Sequence, residues 1–402
     1  MKKILSVLLI VVLLCSISVM LFACTDKELQ KLTYTDENGE EQTITIKKTA
    51  DSEKVTAAVM ALGAKEVDTT TYDNIVLTAG AQGVCNGTQK GAAFNLEFNG
   101  NVSVGAALPD TLEEYTLSKI VGASKLYVGG DFTAKLPKQV GEDEVPNFCD
   151  VDEYNEKAKL YVDESKLYTK LELSDTAIKA IPEMVTYIIN IPDMNNKTAA
   201  VDLTSILGMV DLMLPAKDVA PVYKSIVNTK ASYLKAIEKI TAKEPKEGEE
   251  PVDNSIKFND VKKIVEACNI QITKTKGSVV TFSAKLNKES INTLIRAFDD
   301  PEDVEKDIAK NDFEGEVSLT VSIDAKTMLD ISVSATISNA FNGLFKDIPA
   351  TEEINLTRQE LTINASISTK DAVPTLSQEE KDAAVVVPLN FDLSAILGAL
   401  NK

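Results

Sequence analysis

Between Val317 and Ile337 the chain alternates with a strict period of two. Val317, Leu319, Val321 and Ile323 are separated by Ser318, Thr320 and Ser322; after a turn at 324–327, Leu329, Ile331, Val333, Ala335 and Ile337 are separated by Asp330, Ser332, Ser334 and Thr336. Successive side chains of a strand point to opposite faces, so this pattern demands antiparallel strands with one wet face and one buried face. The alternation recurs at Ala92, Phe94, Leu96 and Phe98, then at Val102, Val104, Ala106 and Leu108. It returns at Leu126, Val128, Phe132 and Ala134, at Leu160 and Val162, at Leu167, Thr169, Leu171 and Leu173, and at Leu361, Ile363, Ala365 and Ile367. Asn99-Gly100 and Asp163-Glu164-Ser165 read as the turns between neighbouring strands. Near the start, Leu32–Tyr34 and Thr43–Ile46 flank a turn at Asp36–Gly39, whose acids lack the oxygen-ligand spacing of a calcium loop.

Helical spacing interrupts the strands. Val55, Ala58, Val59 and Leu62 mark a helix over 52–66, and further helices are expected over 175–190, 222–242, 257–268 and 287–298, the last two with stripes at Val261, Ile264, Val265 and at Ile291, Leu294, Ile295. Asp300–Asp303, with Pro301 in the first turn, reads as one more helix start. The expected fold class is α+β, with curved antiparallel sheet packed against helices. An internal echo extends this: Val201–Val210 and Phe391–Leu400 share the pattern x-Asp-Leu-Ser/Thr-x-Ile-Leu-Gly, each giving a short amphipathic helix after a group of strands. We therefore expect tandem α+β repeats over 51–212 and 213–402, the second with an exposed charged linker at 243–253.

The first 23 residues differ from everything after them. Lys2 and Lys3 precede an uncharged apolar run to Phe22, the basic and apolar regions of an export signal. Leu21-Phe22-Ala23-Cys24 resembles the lipobox of bacterial lipoproteins. That resemblance implies cleavage before Cys24, a diacylglycerol thioether on its sulfur, and a mature chain beginning with a tether and hairpin over 24–50. The alternative is an uncleaved membrane anchor, since the run approaches the roughly 20 residues that span a bilayer. Either way the remaining chain lies outside the cytoplasm; we expect it on the outer face of the cytoplasmic membrane, with an outer-membrane destination left open by Asp26. Two acyl chains suffice for stable attachment without further protein contacts.

Composition narrows the chemistry. The 402 residues carry a net charge of −19, with no His and no Trp. The commonest general base and metal ligand is therefore absent, and nucleic acid is disfavoured as a partner. No phosphate loop, nucleophile elbow or metal-ligand cluster appears, so neither catalysis nor a cofactor is expected. Cys85, Cys149 and Cys268 are widely spaced and read as buried free thiols.

The order of helix and one-face-apolar strands, with hairpins such as Lys159–Tyr168 and Val321–Asp330, resembles the LolA/LppX-type half-barrel lipoproteins. The resemblance implies a curved sheet wrapped around helices, with an acyl-chain cavity between them, although this chain is about twice their length. Phe94, Phe98, Leu167, Leu171, Val333 and Ile337 are the candidate cavity-lining residues, although inward apolar residues of a sheet usually meet other protein atoms and core is the better reading of each. The expected function is thus a non-catalytic lipoprotein that binds a lipid or other apolar ligand. A surface or envelope-structural protein with a protein partner is the alternative, favoured by an exposed apolar patch or open sheet edge. A transporter's solute-binding lipoprotein fits less well, because its parallel strands would be continuously apolar.

Overall fold

The computed structural model describes residues 32–65, 74–109, 111–140, 145–180, 194–227, 256–298, 304–309, 313, 315–325, 328, 330–339 and 352–387. The signal, Cys24, the linker, the second copy of the echo, residues 300–303 and the later parts of the helices expected over 175–190 and 222–242 lie outside them.

In chain order the elements are β1 (Leu32–Thr35), β2 (Glu41–Ile44), α1 (Ser52–Gly63), β3 (Asn74–Gln89), β4 (Ala92–Ala107), α2 (Leu117–Ala123), β5 (Lys125–Val140), β6 (Val145–Asp163) and β7 (Lys166–Glu172). They continue with α3 (Asp175–Ala180), β8 (Thr198–Asp202), α4 (Thr204–Met213), α5 (Ala216–Val227), α6 (Phe258–Ala267), β9 (Gln271–Lys276), β10 (Val279–Leu286) and α7 (Lys288–Phe298). The last are α8 (Val304–Ala309), β11 (Glu316–Asp324), β12 (Ile331–Ser338), β13 (Ile354–Ser368), α9 (Gln378–Asp382) and β14 (Val385–Val386). The architecture is mixed α and β, dominated by curved, unclosed, mainly antiparallel sheet.

The described residues divide into two compact units assembled from non-contiguous stretches: those within 32–65, 83–93 and 256–368 form the first, and those within 74–82, 94–227 and 369–387 the second. Strand β3 contributes to both. In the first unit the strand order is β3-β13-β12-β11-β10-β9. The alternation at 317–337 forms there as expected, with Phe282, Val321, Val333 and Ala365 in one cross-strand row and Ala284, Leu319, Ala335 and Ile363 in the next. Helices α1, α6 and α7 pack on one another and on β9 and β10. Their stripes are buried as their spacing predicts: Val55, Ala58 and Leu62; Val261 and Val265; Ile291, Leu294 and Ile295. Asp51 caps α1 by accepting from the N–H groups of Glu53 and Lys54. The β1–β2 turn is built by Asp36, whose Oδ1 accepts from the N–H groups of Asn38 and Glu40.

In the second unit the order is β3-β4-β5-β6-β7-β8-β14. The β6–β7 hairpin closes through Glu164 and Ser165, both at positive φ, as its sequence predicts. The turn expected at Asn99-Gly100 does not exist. Strand β4 runs straight through it, and the chain instead reverses at Lys90-Gly91, with φ of 50° and 81°. Asn99 and Gly100 pair with Thr133 and Phe132 of β5, and a Cβ on Gly100 would stand 3.4 Å from the Phe132 ring. That is an ordinary contact distance, so Gly100 sits in the strand as any residue could and takes no part in a chain reversal.

The two faces of this sheet also depart from expectation. Opposite residues of an antiparallel pair share a face, so the register aligns Gly105, Tyr127, Tyr161, Tyr168 and Ala200 in one row across five strands. Alternation assigns these tyrosines to the wet face, yet all three are buried. Residues 369–384 cover them as a strap, placing Val373 and Leu376 against the row. Gly105 permits this approach, since a Cβ there would lie 3.0 Å from Val373 Cγ1. The Tyr127 and Tyr161 rings meet at 5.2 Å between centroids. Within the strap, Ser377 and Glu380 form a capping box at the start of α9. The Lys170 ammonium and the Ser377 donors hold the Glu380 carboxyl down at about 2. Lys381 lies 6.0 Å from the Tyr168 ring centroid and pairs with Asp163 at 2.6 Å, each side chain only 12% exposed. Farther along this face, cross-strand pairs such as Glu97–Lys135 and Lys157–Glu172 remain solvated.

Removing Lys381 leaves Asp163 largely buried without its cation. We expect Lys381→Ala to cost about 2 kcal/mol in urea unfolding, and Lys381→Met combined with Asp163→Asn to recover most of it. Wild-type stability in Lys381→Ala would show that the strap does not depend on this pair.

Candidate functional site

The opposite face of the second unit is aliphatic. Its rows follow from the register: Ala106, Leu126, Val162, Leu167 and Val201; then Val104, Val128, Leu160, Thr169 and Ala199; then Val102, Gly130, Ala158 and Leu171. At the β7–β8 side these residues are core, where Leu171, Ala199 and Val201 pack with Met194 and Val387. Leu160 and Val162 on β6 are half-buried. At β4 and β5 the face is open: Val102, Val104, Val128 and Phe132 are between 39% and 53% exposed. An inward-facing sheet surface is ordinarily covered throughout, so this gradient distinguishes the face from a closed core.

The six residues singled out by sequence divide between the units. Phe98 opposes Ala134 and is half-buried, and Leu167 is half-buried beside the β7–β8 cluster. Phe94 is buried against Phe148, with ring centroids 5.2 Å apart, and Leu171 is buried in that cluster. Both are therefore core side chains in this structure. Val333 and Ile337 are half-buried on β12 of the first unit. The exposed residues Val102, Val104, Val128 and Phe132 were visible as alternating apolar positions, but nothing in the pattern separates an open position from a covered one.

A second concavity has different chemistry. An open pocket of about 640 Å³ is lined by Asp152, Glu153, Tyr154, Asn155, Glu156, Glu172, Leu173, Ser174 and Asn196. Several of its carboxylates are already engaged: Glu156 accepts from the Ser174 N–H at 2.7 Å, and Glu172 pairs with Lys157 at 2.7 Å, which lowers its pKa. Among the described residues no group of three or more acids and thiols is placed to hold a metal ion. Nor is any described helix long and apolar enough to cross a membrane. Cys85 and Cys268 are buried, as expected, and burial pushes the Cys268 thiol up to about 12, which suppresses its thiolate. Cys149 is exposed instead.

The same substitution made at both ends of the aliphatic face measures its openness. Val104→Thr and Val128→Thr should change stability by no more than about 0.5 kcal/mol, whereas Val201→Thr, which buries a hydroxyl among aliphatic side chains, should cost about 2 kcal/mol. Equal costs at the three positions in chemical denaturation would mean that the β4–β5 end is covered. No protein-family model matches the chain, and a search of the curated proteins finds no match.

Proposed function

We propose that this protein is a non-catalytic extracytoplasmic lipoprotein, anchored by a diacylglycerol on Cys24 to the outer face of the cytoplasmic membrane, which binds a lipid or other apolar ligand. The observation that carries the reading is the aliphatic face of the second unit, continuous in composition across five strands but open over β4 and β5. An exposed, contiguous apolar surface on a folded protein marks a place where something apolar binds. Phe98, Leu167, Val104, Val128 and Phe132 are the side chains this reading assigns to the ligand. Seven residues separate Cys24 from Leu32, eight steps with a reach of at most about 28 Å, so the anchor would hold the protein close to a source of acyl chains.

The alternative of a protein partner draws on a separate feature. Strand β14 is only two residues long, pairs with β8 in parallel, and leaves Val385 and Val386 exposed, which suits addition of a partner strand.

The deciding experiment is mass spectrometry of extracts from purified protein lacking residues 1–24. We expect a reproducible lipid near one equivalent, lost on Val128→Asp with the fold retained. Folded wild-type protein free of lipid, and unable to take it up from vesicles, would reject the carrier reading. For the anchor, Cys24→Ser should abolish incorporation of labelled fatty acid and release the protein from membranes. Unchanged incorporation would reject the lipobox assignment.

A further inference from the structure

Thr169 is the anomaly of the aliphatic face. It is 2% exposed, and its Oγ1 has no hydrogen-bond partner among the described residues. Its neighbours on that face are Leu160 and Ala199 across the ladder and Leu167 and Leu171 along the strand. A buried hydroxyl without a partner is destabilising, and native proteins rarely retain one without a reason. Among the described residues its same-face neighbours, Leu160, Leu167, Leu171 and Ala199, offer an ordered water none of the two to four polar contacts it needs.

The row containing Thr169 leads outward. Val104 and Val128 are exposed, Leu160 is half-buried, and Thr169 comes next, about 14 Å from Val104 at ordinary strand spacing. We infer that the Thr169 hydroxyl hydrogen-bonds the ligand, and that the ligand is a long-chain apolar molecule carrying a neutral oxygen function, a hydroxyl or an ester carbonyl. This rests on the reading that the face binds an apolar ligand, and it specifies the ligand's class. Neutrality follows from the surroundings: the described neighbours on that face, Leu160, Leu167, Leu171 and Ala199, are aliphatic and would leave a carboxylate as an uncompensated buried charge. Thr169 is closed over in this structure, so the polar end reaches its hydroxyl at β7 only as the half-buried Leu160 side chain gives way, and the chain extends across the strands toward the open side at β4.

The test uses residues 25–402, which retain every described element, and the variants Thr169→Val and Thr169→Ser. Hexadecanol, methyl palmitate and hexadecane are compared for displacement of a fluorescent apolar dye. In the wild type and in Thr169→Ser, the two oxygenated probes should displace the dye at about tenfold lower concentration than hexadecane, the effect of one hydrogen bond. In Thr169→Val this preference should vanish while hexadecane still competes, and the variant should melt no lower than the wild type, because it removes an unsatisfied group. A preference that survives in Thr169→Val, or is absent from the wild type, overturns the inference and leaves the binding reading intact. Marked destabilisation of Thr169→Val also overturns it, since the hydroxyl would then have a structural partner. Failure of all three probes to compete overturns both.

Discussion

A strand satisfies its backbone through the ladder and sends its side chains alternately to two faces, so each face of a sheet needs its own solution. The second unit depends on this division. One face carries charged cross-strand pairs over much of its extent and a row of three tyrosines at one end, and the tyrosines are stable there because a strap from far along the chain lies over them. The strap in turn relies on Gly105 for close approach, on the Ser377–Glu380 capping box for its helix, and on Lys381 to neutralise Asp163. The other face is mainly aliphatic over the rows from Ala106 to Val102, and its cover is incomplete.

That incomplete cover links architecture to the proposed function. In the first unit, helices α1, α6 and α7 pack on β9 and β10, and Ile363 on β13 is left exposed. In the second, side chains around Met194 and Val387 bury the β7–β8 end and leave β4 and β5 open. The second unit thus combines a closed apolar core, which supplies stability, with a strip of the same sheet whose apolar side chains meet solvent. An antiparallel sheet tolerates this because its ladder does not require both faces to be covered. A ligand that finishes the cover of the second unit would gain hydrophobic contact without opening the core.

Much of the fold was legible. Period-two runs located β11, β12, the latter half of β13 and the β6–β7 hairpin, and helical stripes located α1, α6 and α7, because burial on one side imposes these periods directly. Asn99-Gly100 misled, since a dipeptide able to turn also fits an extended strand, and here it pairs with Thr133 and Phe132 of β5 in the ladder. The tyrosine row misled as well. Tyr127 alternates with Leu126 and Val128, so local pattern assigns it to solvent, and only a segment some 245 residues later reverses that assignment. For the candidate site, Phe98 and Leu167 were among the residues chosen, while Phe94 and Leu171 proved to be core because partners distant in sequence, Phe148 and Met194, close over them.

What the sequence determined by itself is whatever depends on neighbours along the chain: strand and helix identity, the apolar side of each element, the local turns at Asp36–Gly39 and Asp163–Ser165, and the export-like run before Cys24. What only the tertiary structure decided is coverage. Val128 and Leu171 are equivalent as alternating aliphatic residues on one face, yet one is open and the other buried. Thr169 likewise reads as a mild β-former until the register surrounds its hydroxyl with aliphatic side chains. The physical reason is that alternation sets the direction of a side chain, whereas its burial depends on which distant atoms occupy the space it points into.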